Sequence, residues 1–263
     1  MPQTLGAHSP KLDAVRALKT KAGRREQGRF AVEGPTMLAE ALRSGSSPGA
    51  VYTTAAAADA AGPLLAGLGD DVEVFLIPDR AMDRLSDLET APGILAVFRT
   101  SLVEPARLLA TGGILLLLAG LGDPGNAGTL LRSAEIFGFS GILFGDDGVE
   151  PYNPKVVRAS MGAIFRVPLG VAGPADLSAA ARQAGYELVA TGEGGTPLPD
   201  FRFSARSIVA VGNERRGVAG WLPSWDRTVT IPQRGAGESL NAAVAGSIVA
   251  YVASNQLNQT PPK

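Results

Sequence analysis

The stretch Ile231–Ala253, IPQRGAGESLNAAVAGSIVAYVA, decides how the chain is read. Thr228 to Ile231 has the β-branched composition of a strand, Pro232 ends it, and Ser239-Leu240-Asn241 opens an alanine-rich helix. Between them, Gly235 and Gly237 leave a loop whose backbone can come close to a ligand, since no side chain holds it away. Ser239 and Asn241 are both of the residue types that cap helices. Leu240, Val244, Ile248 and Val252 recur every four residues, while Ala242, Ala243, Ala245, Gly246 and Ser247 keep the surface small, the pattern of a helix packed closely on both sides. Ordinary turn chemistry leading into a core helix explains the same residues. The rest of the chain has to separate the two readings.

With 263 residues, 45% hydrophobic and 19% charged, the chain suits one large or two medium globular domains. It has no cysteine and one histidine, His8. That inventory excludes thiol catalysis, cysteine-based zinc sites and a Ser-His-Asp triad in the folded body, and no metal is expected. Neither a signal peptide nor a run long enough to cross a bilayer is visible, so a cytoplasmic protein without membrane contact is expected. The net charge of −1 hides an asymmetry: Met1 to Pro35 carries seven basic residues against three acidic, leaving −5 for the remainder. Such a segment can supply phosphate contacts, or it can be a solvated helix face.

Strands and helices alternate along the whole chain. Helices are expected at 9–18, 35–42, 55–68 and 79–85, and strands at 30–34, 50–53, 72–77 and 93–99, which together make a first α/β unit. The segment Thr100 to Gly113 reads as a linker. A second unit opens with the apolar run Ile114–Ala119, as expected of a strand buried on both faces of a parallel sheet. It continues with strands at 141–144, 165–169, 187–191, 208–211 and 228–231 and helices at 129–137, 154–161 and 175–184. The boundaries expected are 1–104, a linker at 105–111, 112–258 and a short tail at 259–263.

Three glycine-bearing loops each follow an apolar strand: Gly120–Gly128, Gly212–Gly217 and Pro232–Ser239. Ligands of open α/β sheets bind outside the carboxyl ends of the strands, so the three should converge on one site. None has the spacing of a nucleotide-phosphate fingerprint.

Taken in order, these loops carry Asp123-Pro-Gly-Asn126-x-Gly128-x-x-x-Arg132-x-Ala134-x-x-Phe137-Gly138, Val211-Gly212-Asn213-Glu214-x-x-Gly217, and Ile231-Pro232 followed by Glu238-Ser239-Leu240-Asn241. The set resembles the three ordered motifs of the SpoU/TrmH family of RNA ribose 2′-O-methyltransferases, within the knotted SPOUT class. With Arg158-Ala-Ser-Met-Gly162 it covers residues from about 112 to 255. Arg25, Phe30, Glu33-Gly34 and Gly93 resemble the L30e-like RNA-binding domain often joined to these enzymes.

The resemblance implies an α/β fold: a trefoil-knotted C-terminal methyltransferase domain with a mostly parallel sheet, and a smaller L30e-like domain before it. It also implies a homodimer whose active site borrows from both subunits. S-adenosyl-L-methionine is the implied methyl donor, held by main-chain groups at Gly212, Ile231 and Leu240 with Thr191, Gly192 and Gln233 nearby. The implied acceptor is a ribose 2′-hydroxyl of ribosomal RNA, 23S in particular, or alternatively of tRNA; a non-catalytic RNA-binding scaffold is the third reading. Arg132 is the family's group for assisting deprotonation. Since a guanidinium keeps its proton, polarising the hydroxyl or an adjacent phosphate is the easier role. Asn126 would orient Arg132 or the ribose, Glu135 would pair with Arg132, and Glu214, Ser239 and Asn241 would complete the site by hydrogen bonds. Arg215 and Arg216 are additional phosphate contacts or a solvated turn. The basic segment, with Arg16, Lys19, Lys21, Arg24, Arg25 and Arg29, would position the RNA.

Overall fold

Leu115–Ala119 and Gly141–Gly145 are buried at every residue, so both faces of their strands are covered. The computed structural model describes residues 2–235 and 239–258. In chain order its elements begin with β1 (Gln3–Thr4), α1 (Pro10–Ala17), α2 (Lys21–Gln27), β2 (Arg29–Glu33), α3 (Pro35–Arg43) and β3 (Ala50–Thr53). Next come α4 (Ala55–Ala60), α5 (Gly62–Ala66), β4 (Glu73–Leu76), α6 (Asp79–Leu85), β5 (Ile94–Arg99), α7 (Pro105–Thr111) and β6 (Leu115–Ala119). The remainder is α8 (Pro124–Ile136), β7 (Gly141–Gly145), α9 (Pro154–Ala159), β8 (Leu169–Ala172), α10 (Pro174–Gln183), β9 (Glu187–Pro197), β10 (Ser207–Gly212), β11 (Arg227–Thr230) and α11 (Ala242–Asn258).

Two compact units result: Met1–Ser101 with Tyr152–Phe165, and Leu102–Pro151 with Arg166–Lys263. This departs from the expected boundaries in two places. The segment 105–111, expected as a linker, is helix α7 of the second unit, because Pro105 starts a helix at its first turn and Leu108 and Leu109 are buried. The segment 152–165, expected in the second unit, belongs to the first. There the rings of Phe30 and Tyr152 lie tilted at 4.4 Å between centroids and those of Phe98 and Phe165 at 4.9 Å. With Phe165 held in that cluster and Pro168 lacking an N–H, the strand expected at 165–169 is displaced to Leu169–Ala172. The helix expected at 55–68 breaks into α4 and α5 where Gly62-Pro63 restarts it.

The first unit has a sheet of order β1-β4-β3-β5-β2, parallel from β1 to β3 and antiparallel across β3, β5 and β2. Leu12, Val15, Tyr52, Phe75, Met82, Leu95 and Val97 form the core on one face. On β2, Phe30 and Val32 turn to the other face, where α9 packs. The second sheet has the order β11-β9-β10-β6-β7-β8, and every neighbouring pair is parallel. Its six strands therefore all present their carboxyl ends at one edge.

Helix α11 packs on α8 and β10. Its buried residues are the small ones, Ala243, Ala250 and Ala253, with Val249. A Cβ on Gly246 would come within 2.5 Å of Leu130 Cδ2 and 2.7 Å of Val211 Cγ2, so the approach is too close for a larger side chain. Of the two sides expected to pack, the chain itself covers only the small one: Leu240, Val244 and Ile248 are exposed, and Val252 is half-buried.

Tyr152 fixes the returning segment to the first unit, its hydroxyl donating to Ser101 O at 2.9 Å and accepting from Ser101 N at 2.8 Å. Burial raises its pKa above the ordinary tyrosine value. Replacing it with phenylalanine leaves the Ser101 groups unpaired, which should cost about 1–3 kcal/mol in a urea unfolding curve.

Candidate functional site

Strand β6 ends at Ala119 and the chain turns through Gly120 in the left-handed region, φ 64°. Asp123 then caps α8, its carboxylate accepting the Asn126 N–H at 2.7 Å, with Pro124 in the first turn. The helix thus starts five residues before the expected Thr129, and the Asp-Pro pair was the available signal. Asn126 is held in the first turn of α8, directly above the carboxyl end of the sheet.

The neighbouring strand β10 ends in a tight turn where Gly217 N donates to Asn213 O at 2.8 Å. Asn213 uses its whole amide to join the two loops: Nδ2 donates to Gly120 O at 3.0 Å, and Oδ1 accepts from the N–H groups of Arg215 and Arg216 at 3.0 and 3.2 Å. Arg216 is drawn to Asp147 at 3.1 Å, so of that pair only Arg215 has a guanidinium without a bond to described residues.

From the third loop, Asn241 caps α11 by accepting from the N–H groups of Ala243 and Val244 at 2.9 and 3.2 Å. Its Nδ2 donates to Asn126 Oδ1 at 3.0 Å, and Asn126 Nδ2 donates to Glu214 Oε1 at 2.8 Å. One hydrogen-bond chain, Asn241–Asn126–Glu214, therefore links all three loops. Ser239 is exposed and makes no hydrogen bond to described residues, so Asn241 alone is the cap. Gly237 and Glu238 of the third motif lie outside the described residues.

Arg132 departs from expectation. It is exposed and bonded to no described residue, and Glu135, its expected partner, forms an ion pair with Arg166 instead. Helix geometry puts Arg132 about 9 Å along the axis from Asn126 and about 120° around it. Within one chain Asn126 orients Glu214, not Arg132.

Of the expected cofactor residues, Thr191 and Gly192 lie within β9, Gly212 ends β10, and Ile231, Gln233 and Leu240 follow β11. Thr191 Oγ1 donates to Ala210 O at 2.8 Å, and Thr230 Oγ1 donates to Gly192 O at 2.6 Å. Strand β9 does not stop at Thr191 but continues to Pro197 through an irregularity at its pairing with Thr228 and Val229. A Cβ on Gly192 would meet only Thr228 Cγ2, at 3.9 Å, so the edge there is open. Gly212 is half-buried beside it, Ile231 is half-buried, and Gln233 and Leu240 are exposed.

In the first unit the basic residues divide. Arg24 is 4% exposed and its guanidinium donates to Leu18 O at 2.6 Å, so it braces the α1–α2 turn and is not open to RNA, contrary to expectation. Lys19 is half-buried between Ser86 O at 2.6 Å and Asp87 at 3.3 Å, and Arg16 pairs with Asp13 at 2.7 Å. Lys21, Arg25 and Arg29 are exposed and carry no hydrogen bond or ion pair to described residues.

The model of the SpoU rRNA methylase family matches residues 113–251, a span that contains all three loops. The chain belongs to the SpoU rRNA methylase family. As a SpoU methylase it is an RNA methyltransferase, and residues 9–96 match the model of an MRM3-like substrate-binding domain. It is 29% identical to a 23S rRNA (guanosine(2553)-2′-O)-methyltransferase of Bacillus subtilis, over 95% of this chain and 98% of that one. It is 31% identical to a 23S rRNA (uridine(2479)-2′-O)-methyltransferase of Streptomyces viridochromogenes, over 70% of this chain and 67% of that one. The structure of an AdoMet-bound rRNA methyltransferase from Sinorhizobium meliloti aligns with TM-score 0.83 at 25% identity, over 97% of this chain and 99% of that one.

Serine at position 213 is too short to reach Gly120 O while also accepting from the turn. Asn213→Ser in this SpoU methylase is expected to loosen the aim of Glu214 and to lower kcat at least tenfold while thermal stability falls by no more than about 1–2 kcal/mol, read from methyl-transfer kinetics beside a melting curve.

Proposed function

We propose that the protein transfers a methyl group from S-adenosyl-L-methionine to a ribose 2′-hydroxyl of 23S ribosomal RNA. The observation that carries the reading is the Asn241–Asn126–Glu214 chain, which gathers the three motif loops at the carboxyl edge of a parallel sheet. The relatives named for ribose 2′-O methylation of 23S rRNA support the substrate. A cytoplasmic location goes with that substrate.

The irregular middle of β9 and the ends of β10 and β11 fit the cofactor: open backbone at Gly192, small residues at Thr191 and Gly212, the Gln233 amide, and the apolar Leu240. Those residues with Ile231 would hold it, and when bound it supplies an electrophilic methyl group on a positively charged sulfur. The chain's own work is to present the hydroxyl. Asn126 has one amide N–H left after its bonds to Glu214 and Asn241, and Glu214 keeps Oε2, so the pair offers one donor and one acceptor to a ribose. Arg132, always protonated, lowers the cost of negative charge on the 2′-oxygen as its proton passes to Glu214 Oε2, or anchors the adjacent phosphate.

We further propose a homodimer in which Arg132 serves the partner's site. Arg132 shares a face of α8 with Ile136, which is 71% exposed, and the adjoining α11 exposes Val244, Ile248 and Tyr251. An apolar patch of this kind on an enzyme of this family reads as a subunit contact. A deep trefoil knot is the proposed topology, supported by β10 lying between two strands that precede it and by α11 returning over α8 and β10. An L30e-like kinship is proposed for the first unit.

Labelled methyl transfer from S-adenosyl-L-methionine to purified 23S rRNA, with the product nucleotide mapped by mass spectrometry, tests the reaction; label on a base instead of a ribose overturns it. Arg132→Ala and Asn126→Ala are each expected to be inactive alone. Mixed in equal amounts and allowed to exchange subunits, they should recover about a quarter of wild-type activity, since half the dimers then hold one intact site. A mixture that stays inactive while exchanging would place Arg132 in its own subunit's site.

A further inference from the structure

Arg29 on β2 and Arg99 on β5 are directly opposite each other in the antiparallel register. The bonds Thr100 N to Gly28 O and Gly34 N to Ile94 O, both 2.9 Å, mark the hydrogen-bonded pairs of this ladder. Alternation from either end makes Arg29–Arg99 a non-hydrogen-bonded pair, with Cα atoms about 4.5 Å apart and side chains on the same face. Like charges so placed repel and destabilise a sheet. Nothing in the fold relieves them: both arginines are exposed, and neither has a hydrogen bond or ion pair among the described residues.

The strand carboxylates on the same face, Glu33 and Glu73, are already engaged. Glu33, farther along β2, accepts from Ser86 Oγ and from Asp87 N, the latter at 2.9 Å. Glu73 on β4 is paired with Lys11 at 2.9 Å. Two guanidinium groups held this close without a protein anion present donors from both sides to a single tetrahedral oxyanion. Lys21 and Arg25, four residues apart on α2 and so on one helix face, lead into β2 at the same end of the sheet.

We propose that Arg29 and Arg99 clamp one backbone phosphate of the RNA substrate, with Lys21 and Arg25 continuing the phosphate track. This rests on the reading of the chain as an enzyme acting on RNA, and it assigns Arg99, which no motif marks. A clamp on one phosphate has a signature that independent charges lack. Each single variant and the double variant remove the same contact.

The test uses the full chain and an in vitro transcript of 23S rRNA, with affinity measured across a salt series for wild type, Arg29→Gln, Arg99→Thr and the double variant. Each variant is expected to reduce the slope of log affinity against log salt by about 0.7–0.9, one phosphate's worth, with the double variant no lower than the singles. Arg99→Thr should melt at or above the wild-type temperature, because it removes repulsion and puts a β-branched residue in a strand. A lower melting temperature with unchanged RNA affinity would make the pair structural and overturn the clamp. A double variant losing twice the slope would overturn the shared phosphate. Wild type that binds the cofactor but no transcript would remove the RNA reading and the clamp together. Wild-type binding matched by every variant would remove the clamp alone.

Discussion

In the second unit every strand runs in the same direction, and this constraint governs where chemistry can occur. Parallel pairing forces each connection to cross back over the sheet, so the loops that leave the strands all emerge at one edge. Between β10 and β6 the order of connections reverses, the position at which open parallel sheets bind their ligands. Gly120, Asn126, Asn213 and Glu214 are there because those two strands end there. The side-chain bonds then lock loops whose proximity the sheet already dictates. This explains how residues as far apart in sequence as 120 and 213, or 126, 214 and 241, come within hydrogen-bond reach.

Much of this was legible in the amino-acid pattern. The all-apolar Ile114–Ala119 announced a strand covered on both faces, and glycine loops after apolar strands announced the site edge. What stayed hidden depended on distance in space. The four-residue repeat of Leu240, Val244 and Ile248 looks like a core stripe, yet contact with Leu130 and Val211 admits only small residues at Gly246, so the larger ones turn outward. Periodicity reports that a helix has two kinds of face; it does not report which one the chain itself covers.

Charge in the sequence conceals its use in the fold for a related reason. A basic run in a sequence gives every residue equal standing, whereas the fold spends them separately. Arg24 is buried against Leu18 O, Lys19 is tied to Ser86 O and Asp87, and Lys21, Arg25 and Arg29 are left facing water. Glu135 likewise had a neighbour at helical spacing in Arg132 but pairs with Arg166, which a sequence window around α8 does not contain. The Asp-Pro start of α8 was a local signal that could have been used, and it would have placed Asn126 in a helix instead of a loop.

The path of the chain between β7 and β8 has a consequence for how this protein can be divided. The polypeptide leaves the second unit after Pro151, gives Tyr152–Phe165 to the first, and returns at Arg166. Neither unit is a contiguous gene segment. A cut at the first boundary would strip the first unit of the aromatic residues that cover Phe30 and Phe98, and the second would carry them as an unpaired insertion. The first unit is thus not an interchangeable module, and recombination that swaps one unit between relatives has to exchange two separated pieces together.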